Sequence, residues 1–359
     1  MLKWKTLGTI LFSFLFVVFC SLPGKPVIAV EKMDPTKLAL KGRELTNKEA
    51  LKLEEKLRKN PDDLSIRTML LGYYDLKAFK LKDARKARQR HVVWIIQNYP
   101  ESKIAGLPYT NLDPLLDGEK YYEAKKLWLK QVETHKENTA IIGNAANFLL
   151  LNDMDTAETL LKKAKALEPR NPKWSERLGH FYSLGMREKS DKSRKEAASK
   201  SLEQMEEALN LTTEDNQRFY MLGDLAMIAF EAGEVDKASK YASELLQKAP
   251  QYKNNWNYGN GVHKGNLILG RIALASGRLD EAKDYLLKAG KTSGSPQLNS
   301  FGPNMTLAKE LLEKGEREVV VKYFEECGKF WEMGEDRLKD WMAIVNKGGM
   351  PDFGANLDY

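Results

Sequence analysis

Asn266-Leu-Ile-Leu-Gly270-Arg-Ile-Ala-Leu-Ala-Ser-Gly277-Arg-Leu-Asp-Glu-Ala282-Lys-Asp-Tyr-Leu286-Leu-Lys-Ala289 is the stretch that decides the fold. Asn266 and Gly270 stand four apart, Gly277 follows seven later, and Ala282, Leu286 and Ala289 come next at helical spacing. Residues four and seven apart lie on one face of a helix, so the stretch predicts two helices joined by a turn at Gly277, with small side chains that let them approach closely. The register recurs. Ile141, Trp174, Leu222 and Asn304 precede Ala145, Leu178, Ala226 and Ala308 by four, and Asn152, Gly185, Gly233 and Gly315 fall seven beyond those. Second-helix columns repeat as Ala157, Ala238 and Val320, then Leu161, Ala242 and Phe324, then Ala164, Leu245 and Cys327.

A repeat of roughly 34 residues built this way resembles the tetratricopeptide array. The resemblance implies an all-α, right-handed α-solenoid of helix pairs over residues 137–334. No single pair can bury its apolar stripes alone, so stacked neighbours must cover them. Gly233 and Gly277 suit the left-handed conformation that ends a helix, and Pro169 and Pro250 close the second helices of their units. Leu338, Trp341, Met342 and Val345 form one face of a helix that would cap the stack, within a final segment of residues 335–359. The C-terminal third, His263 to Ala289 with Ser295 to Asn304 and Met350 to Asn356, looks like a group of bacterial tetratricopeptide proteins without an assigned activity. It transfers no active residue.

Residues 1–29 read as a secretory signal. Lys3 and Lys5 precede an apolar run from Leu7 to Leu22, and Val27-Ile28-Ala29 places small residues where signal peptidase cuts. An uncleaved anchor, or a lipoprotein lipidated at Cys20 behind the bulky Phe19, is the lesser reading. Cleavage lowers 57 basic residues to 54 against an unchanged 50 acidic ones, so a formal charge of +7 becomes about +4. That near balance does not mark a nucleic-acid binder, so none is expected as a partner, and loss of the apolar run leaves no stably inserted segment. Cys327 would be the remaining cysteine, a small buried hydrophobe.

Residues 30–46 read as a linker and residues 47–136 as degenerate helical repeats. Asn47 to Lys59 is the expected first helix, a pair follows between Asp62 and Pro100, and Tyr121 to Thr134 is a second helix whose partner is interrupted by Pro108 and Pro114. Two insertions depart from the repeat. Met186 to Lys200 carries six basic and three acidic residues and predicts a solvated helix extension, or else a dock for an anionic partner. Pro250 to Asn266 and Thr292 to Pro303 read as two long loops on one edge, about a repeat apart, that together could wall a pocket.

Trp256, Tyr258 and Phe301 are candidate apolar anchors there, and Asn260, His263, Asn266, Asn299 and Asn304 candidate polar groups. Asn266 and Asn304 fill a column that is apolar in earlier repeats, so each must find a partner or cost about 1–3 kcal/mol; pinning loops or capping helices would serve as well as holding a ligand. Catalytic patterns are absent: the four histidines show no ligand spacing, there is no phosphate loop, and Gly259-Asn-Gly261 lacks a preceding strand. The expectation is therefore an exported, non-catalytic scaffold, without cofactor or metal, that binds a protein or peptide partner on its concave face or on this loop edge. The alternative is a small-molecule or glycan binder using residues 253–266 and 292–304. An enzyme relying on His263 ranks third.

Overall fold

A computed structural model describes residues 34–187 and 190–357. The expected secretory signal over residues 1–29 and the lipidation reading of Cys20 lie outside them. The described residues form seventeen α-helices with short 3-10 turns and no strand, and the chain divides into a unit up to Arg88 and a unit from Gln89 onward.

The first unit contains α1 (Pro35–Arg43), α2 (Asn47–Lys59), α3 (Leu64–Asp75) and the start of α4 (Lys82–Asn98). Helix α1 corrects the expectation of a linker over residues 30–46. Asp34 caps it by accepting from the Thr36 and Lys37 amides, Pro35 suits its first turn, and Ala39 is fully buried. Its packing relies on small residues that carry no apolar stripe. A Cβ on Gly42 would lie 1.9 Å from the Met69 carbonyl oxygen, and one on Gly72 would lie 1.8 Å from that of Ala39, so α1 and α3 touch backbone to backbone. Gly72→Ala should therefore destabilise this unit by about 3 kcal/mol. Hydrogen exchange is expected to speed up over α1 and α3; unchanged exchange in α1 would contradict the close approach. Helix α2 starts with a reciprocal capping box between Thr46 and Glu49 and buries Ala50 and Leu57 beside Leu70 and Tyr73 of α3.

In the second unit, residues 99–118 hold only two 3-10 turns, Lys103–Gly106 and Pro108–Thr110, where a first helix would stand. Helices α5 (Glu119–Thr134), α6 (Thr139–Leu149), α7 (Met154–Leu167), α8 (Pro172–Ser183), α9 (Asp191–Leu211), α10 (Asp215–Ala232), α11 (Val235–Lys248), α12 (Tyr258–Ala275) and α13 (Leu279–Gly290) follow, each packed on the one before. A short α14 (Pro296–Phe301), then α15 (Thr306–Glu313), α16 (Arg317–Gly328) and α17 (Glu335–Asn346) complete it. The repeat columns are the core: Ala145, Ala157, Ala164, Ala226, Ala238, Ala242, Ala282, Leu286, Ala289, Ala308, Val320, Phe324 and Cys327 are at most 1% exposed. Gly233, Gly277 and Gly315 end α10, α12 and α15 at positive φ. The Cys327 thiol is free, and burial pushes its pKa up.

Helix α9 begins ten residues before Ser201, as an extension, and the Ser201 hydroxyl returns it to register by donating to the Gly179 carbonyl at 2.7 Å. Helix α17 buries Leu338, Trp341 and Val345. The tail then doubles back. Phe353 inserts beside Trp341 and Phe324, and Asn356, 1% exposed, donates from Nδ2 to the Phe301 and Pro303 carbonyls while its own carbonyl accepts from the Met305 amide at 2.8 Å.

Candidate functional site

The segment read as a loop from Pro250 to Asn266 is mostly helix. Only residues 249–257 form turns, and α12 starts at Tyr258, so Asn260, His263 and Asn266 are helical residues. The glycines that read as loop breakers have another cause. A Cβ on Gly259 would meet the Gly294 carbonyl oxygen at 1.8 Å, so α12 and the segment after α13 touch backbone to backbone there.

The polar members of the predicted site are spent on that junction. Asn260 accepts from the Ser295 hydroxyl at 2.6 Å and donates to Asn257 at 2.8 Å and to Gln297 at 3.2 Å. His263, 2% exposed, donates from Nδ1 to the Ala289 carbonyl at 3.0 Å, and its Nε2 accepts from the Asn304 amide at 3.1 Å. Those two bonds define the neutral Nδ1–H tautomer, and burial lowers the pKa to about 4. With both nitrogens occupied, no lone pair is left to take up a substrate proton. Asn266 donates to the Val262 carbonyl one turn back at 2.8 Å. Asn304 lies ahead of α15, not within it, where its side chain caps the Thr306 amide at 2.8 Å and its carbonyl accepts from the Tyr323 hydroxyl at 3.0 Å. Turned with its nitrogen inward, the Asn299 amide donates to the Ser295 and Phe330 carbonyls, both at 3.0 Å. Tyr258 packs part-buried on the α9–α12 core.

Trp256 and Phe301 remain at 51% and 69% exposure. The Trp256 ring leans on Tyr220, 5.4 Å between centroids, and Tyr220 in turn accepts from Asn255 at 2.7 Å. The two segments thus do meet, at Asn260, Ser295 and Gln297, but they form a joint whose polar atoms are matched among themselves.

A groove lies elsewhere, where the first helices of successive pairs run side by side. A cavity of about 400 Å³ opens along α10, α12 and the start of α15. Met227, Leu267 and Ile268 line its apolar part, Met186 and Leu184 bound it at the 3-10 turn after α8, and Leu357 of the tail reaches its far end. Charge is fixed along it in two rungs. Lys264 pairs with Asp224 at 2.6 Å; seven residues on along each helix, Arg271 pairs with Glu231 at 2.9 Å and also reaches Glu310 of α15 at 2.9 Å. Seven residues are two helical turns, so each helix presents both charges on one face. The Arg271 guanidinium also lies over the Phe230 ring, 4.3 Å from its centroid.

The field along these rungs is uneven. Burial acts against the Asp224 carboxylate, yet Lys264 and the neighbouring His180 outweigh it and hold its pKa below the ordinary value. Burial raises that of Glu310 despite Arg271. Earlier first helices join in the same way: Arg177 of α8 donates to the Gly143 carbonyl and to Asn147 of α6, and Asn144 and Asn147 donate to the carbonyls of Pro100, Ser102 and Gly106. Apolar floor and fixed charges of both signs suit an extended chain carrying apolar and charged side chains.

A second hollow, about 610 Å³ on α9 and α11, is lined by Glu203, Glu206 and Glu207. Two of its carboxylates are already engaged, Glu206 by Lys237 and the Tyr241 hydroxyl and Glu207 by Lys165. Among the described residues no group of His, Cys, Asp and Glu is placed to hold a metal ion, and no helix is long and apolar enough to cross a membrane.

Asn304, a predicted site residue, lines the groove, as do Met186, Arg187 and Arg194 of the Met186 to Lys200 insertion; the charged rungs escape the sequence reading because charges on a helix default to a solvated face. A signal was there: Asp224 and Lys264, like Glu231 and Arg271, recur 40 residues apart with opposite sign. Comparison with models of known protein families gives no match, and comparison with curated proteins gives none.

Proposed function

We propose that this chain is an exported, tetratricopeptide-like scaffold, a right-handed array whose groove along α10, α12 and α15 binds an extended segment of a partner protein. The observation that carries the reading is the groove itself: three successive first helices aligned by ion pairs around an apolar floor of about 400 Å³. Binding there needs no catalytic group. The recurrence of the repeat columns supports the array, and the pattern of Lys3, Lys5, the apolar run and Ala29 supports export.

The Trp256 and Phe301 edge ranks below the groove, because the amides expected to orient a ligand beside those rings are bonded within the protein. Met227→Glu places a charge on the groove floor and should weaken capture of the partner from a bacterial envelope extract by tenfold or more, at roughly 1.4 kcal/mol per factor of ten. Leu151→Glu, at a position 74% exposed and not among the groove residues, should leave capture unchanged. Equal capture by both variants and the unaltered protein would remove the groove from the proposal.

A further inference from the structure

The turn between α3 and α4 carries a surface feature that the groove does not use. It reads Leu76-Lys-Ala-Phe79-Lys-Leu81-Lys82, and Leu76, Phe79 and Leu81 are 61%, 65% and 56% exposed. Three large apolar side chains held outward within six residues are unusual on a soluble surface, where isolated ones need no explanation. They are held there by an ordered turn. Ala78 is buried beneath it, residues 77–79 form a 3-10 turn, and the Arg85 guanidinium donates to the Ala78 and Phe79 carbonyls at 2.9 and 3.4 Å.

Cations alternate with the apolar residues along the sequence. Lys77, Lys80, Lys82, Arg85 and Lys86 face a single acid, Asp83, between residues 76 and 86, in a chain whose totals are 57 basic and 50 acidic. Lys82 and Lys86 stand one helical turn apart and, with Lys80, point into solvent. Lys77 lies over the Tyr73 ring, 4.0 Å from its centroid.

We propose that this turn docks the first unit on the surface of an anionic phospholipid bilayer, with Leu76, Phe79 and Leu81 entering the headgroup boundary and the lysines meeting lipid phosphates. The charge is complementary to that surface, and the apolar tips match its layered chemistry as a purely polyanionic partner would not. Each lysine near such a surface strengthens binding by about fivefold.

The test uses the full chain with vesicles of phosphatidylcholine alone, or with one third phosphatidylglycerol. Variants are the triple Leu76→Ser, Phe79→Ser, Leu81→Ser and the double Lys80→Glu, Lys82→Glu; the altered side chains are exposed, so circular dichroism and melting should match the unaltered protein. Binding is expected to be at least about tenfold tighter to the anionic vesicles, to weaken by about tenfold or more in each variant, and to slow hydrogen exchange over residues 76–86. Binding through the apolar leader instead would be indifferent to both variants and would leave exchange in 76–86 unchanged. That result overturns the proposal, as does absence of binding. Binding to a nucleic-acid homopolymer that the variants abolish, with vesicles unbound, would replace lipid by another polyanion and overturn it as well.

Discussion

Phe353→Ala is expected to lower the stability of the second unit by about 3–5 kcal/mol, although only six residues of the sequence follow it. Its ring is 2% exposed, 4.9 Å from Trp341 and 6.1 Å from Phe324, both at edge-on angles. Truncation leaves a cavity bounded by α16 and α17, and those walls are rigid. Trp341 donates from Nε1 to the Asp352 carbonyl at 3.1 Å, and Arg337 donates to Asn356 at 3.1 Å. The surrounding structure cannot collapse into the space without breaking these bonds. Loss of the ring should also loosen the Asn356 contacts to Phe301, Pro303 and Met305, so exchange should accelerate at the start of α15 as well as in α17. Urea unfolding measures the first effect and hydrogen exchange the second. A loss below about 1 kcal/mol would mean that the tail merely lies on the surface.

His263 carries the second large effect. In the folded chain the neutral ring bridges the Ala289 carbonyl and the Asn304 amide, joining α12 to the end of α13 and to the entry of α15. Folding lowers its pKa from 6.5 to about 4. Stability from this group is therefore fully present above pH 6.5, where the ring is neutral in both folded and unfolded chains, and is lost as pH falls from 6.5 to 4. The loss across that window is roughly 3 kcal/mol. His263→Ala should cost about 3 kcal/mol or more at pH 7.5, since it strands a buried acceptor and a buried donor and opens a cavity. It should also flatten the decline between pH 6.5 and 4 relative to the unaltered protein. Carboxylates that titrate in the same range are common to both chains, so the difference isolates the histidine. Parallel curves would show that the ring is charged or solvated in the folded state.

Much of the second unit is legible in the sequence because its signal is the helical period itself. Columns such as Ala238, Ala242 and Leu245 repeat at the spacing that buries them, and α11 realises that stripe with all three at most 1% exposed. The features that escape share a different origin, in backbone proximity or in contacts between elements. Helix α1 is buried through Ala39 and Gly42, which give no amphipathic pattern. The start of α12 carries Gly259, Gly261 and Gly265 because neighbouring atoms leave no room for a Cβ, and the same glycines read along the chain as a loop.

For the candidate site the same division holds. The expectation that Asn266 and Asn304 need hydrogen-bond partners follows from their column, and the bonds are present. Their side-chain partners are local, the Val262 carbonyl one turn back and the Thr306 amide two residues on; what no local pattern contains is that the Asn304 backbone amide meets His263 where α12 approaches the entry of α15. The groove is harder still: Asp224, Glu231, Lys264 and Arg271 are ordinary helix-surface charges until α10 and α12 are laid side by side. The 40-residue recurrence of opposite signs is a weak pointer that gains meaning only with the pairing known.

The most direct measurement of the proposed function places a photoactivatable side chain at Met227 in the full chain, with the same group at Leu151 as the control. Irradiation of producing cells is expected to give one discrete protein adduct from position 227 and none from 151, and the adduct should vanish when Leu267 or Ile268 on the facing helix is replaced by glutamate in a chain still shown to fold. Absence of an adduct at 227, or the same adducts from both positions, would contradict a partner bound along α10, α12 and α15.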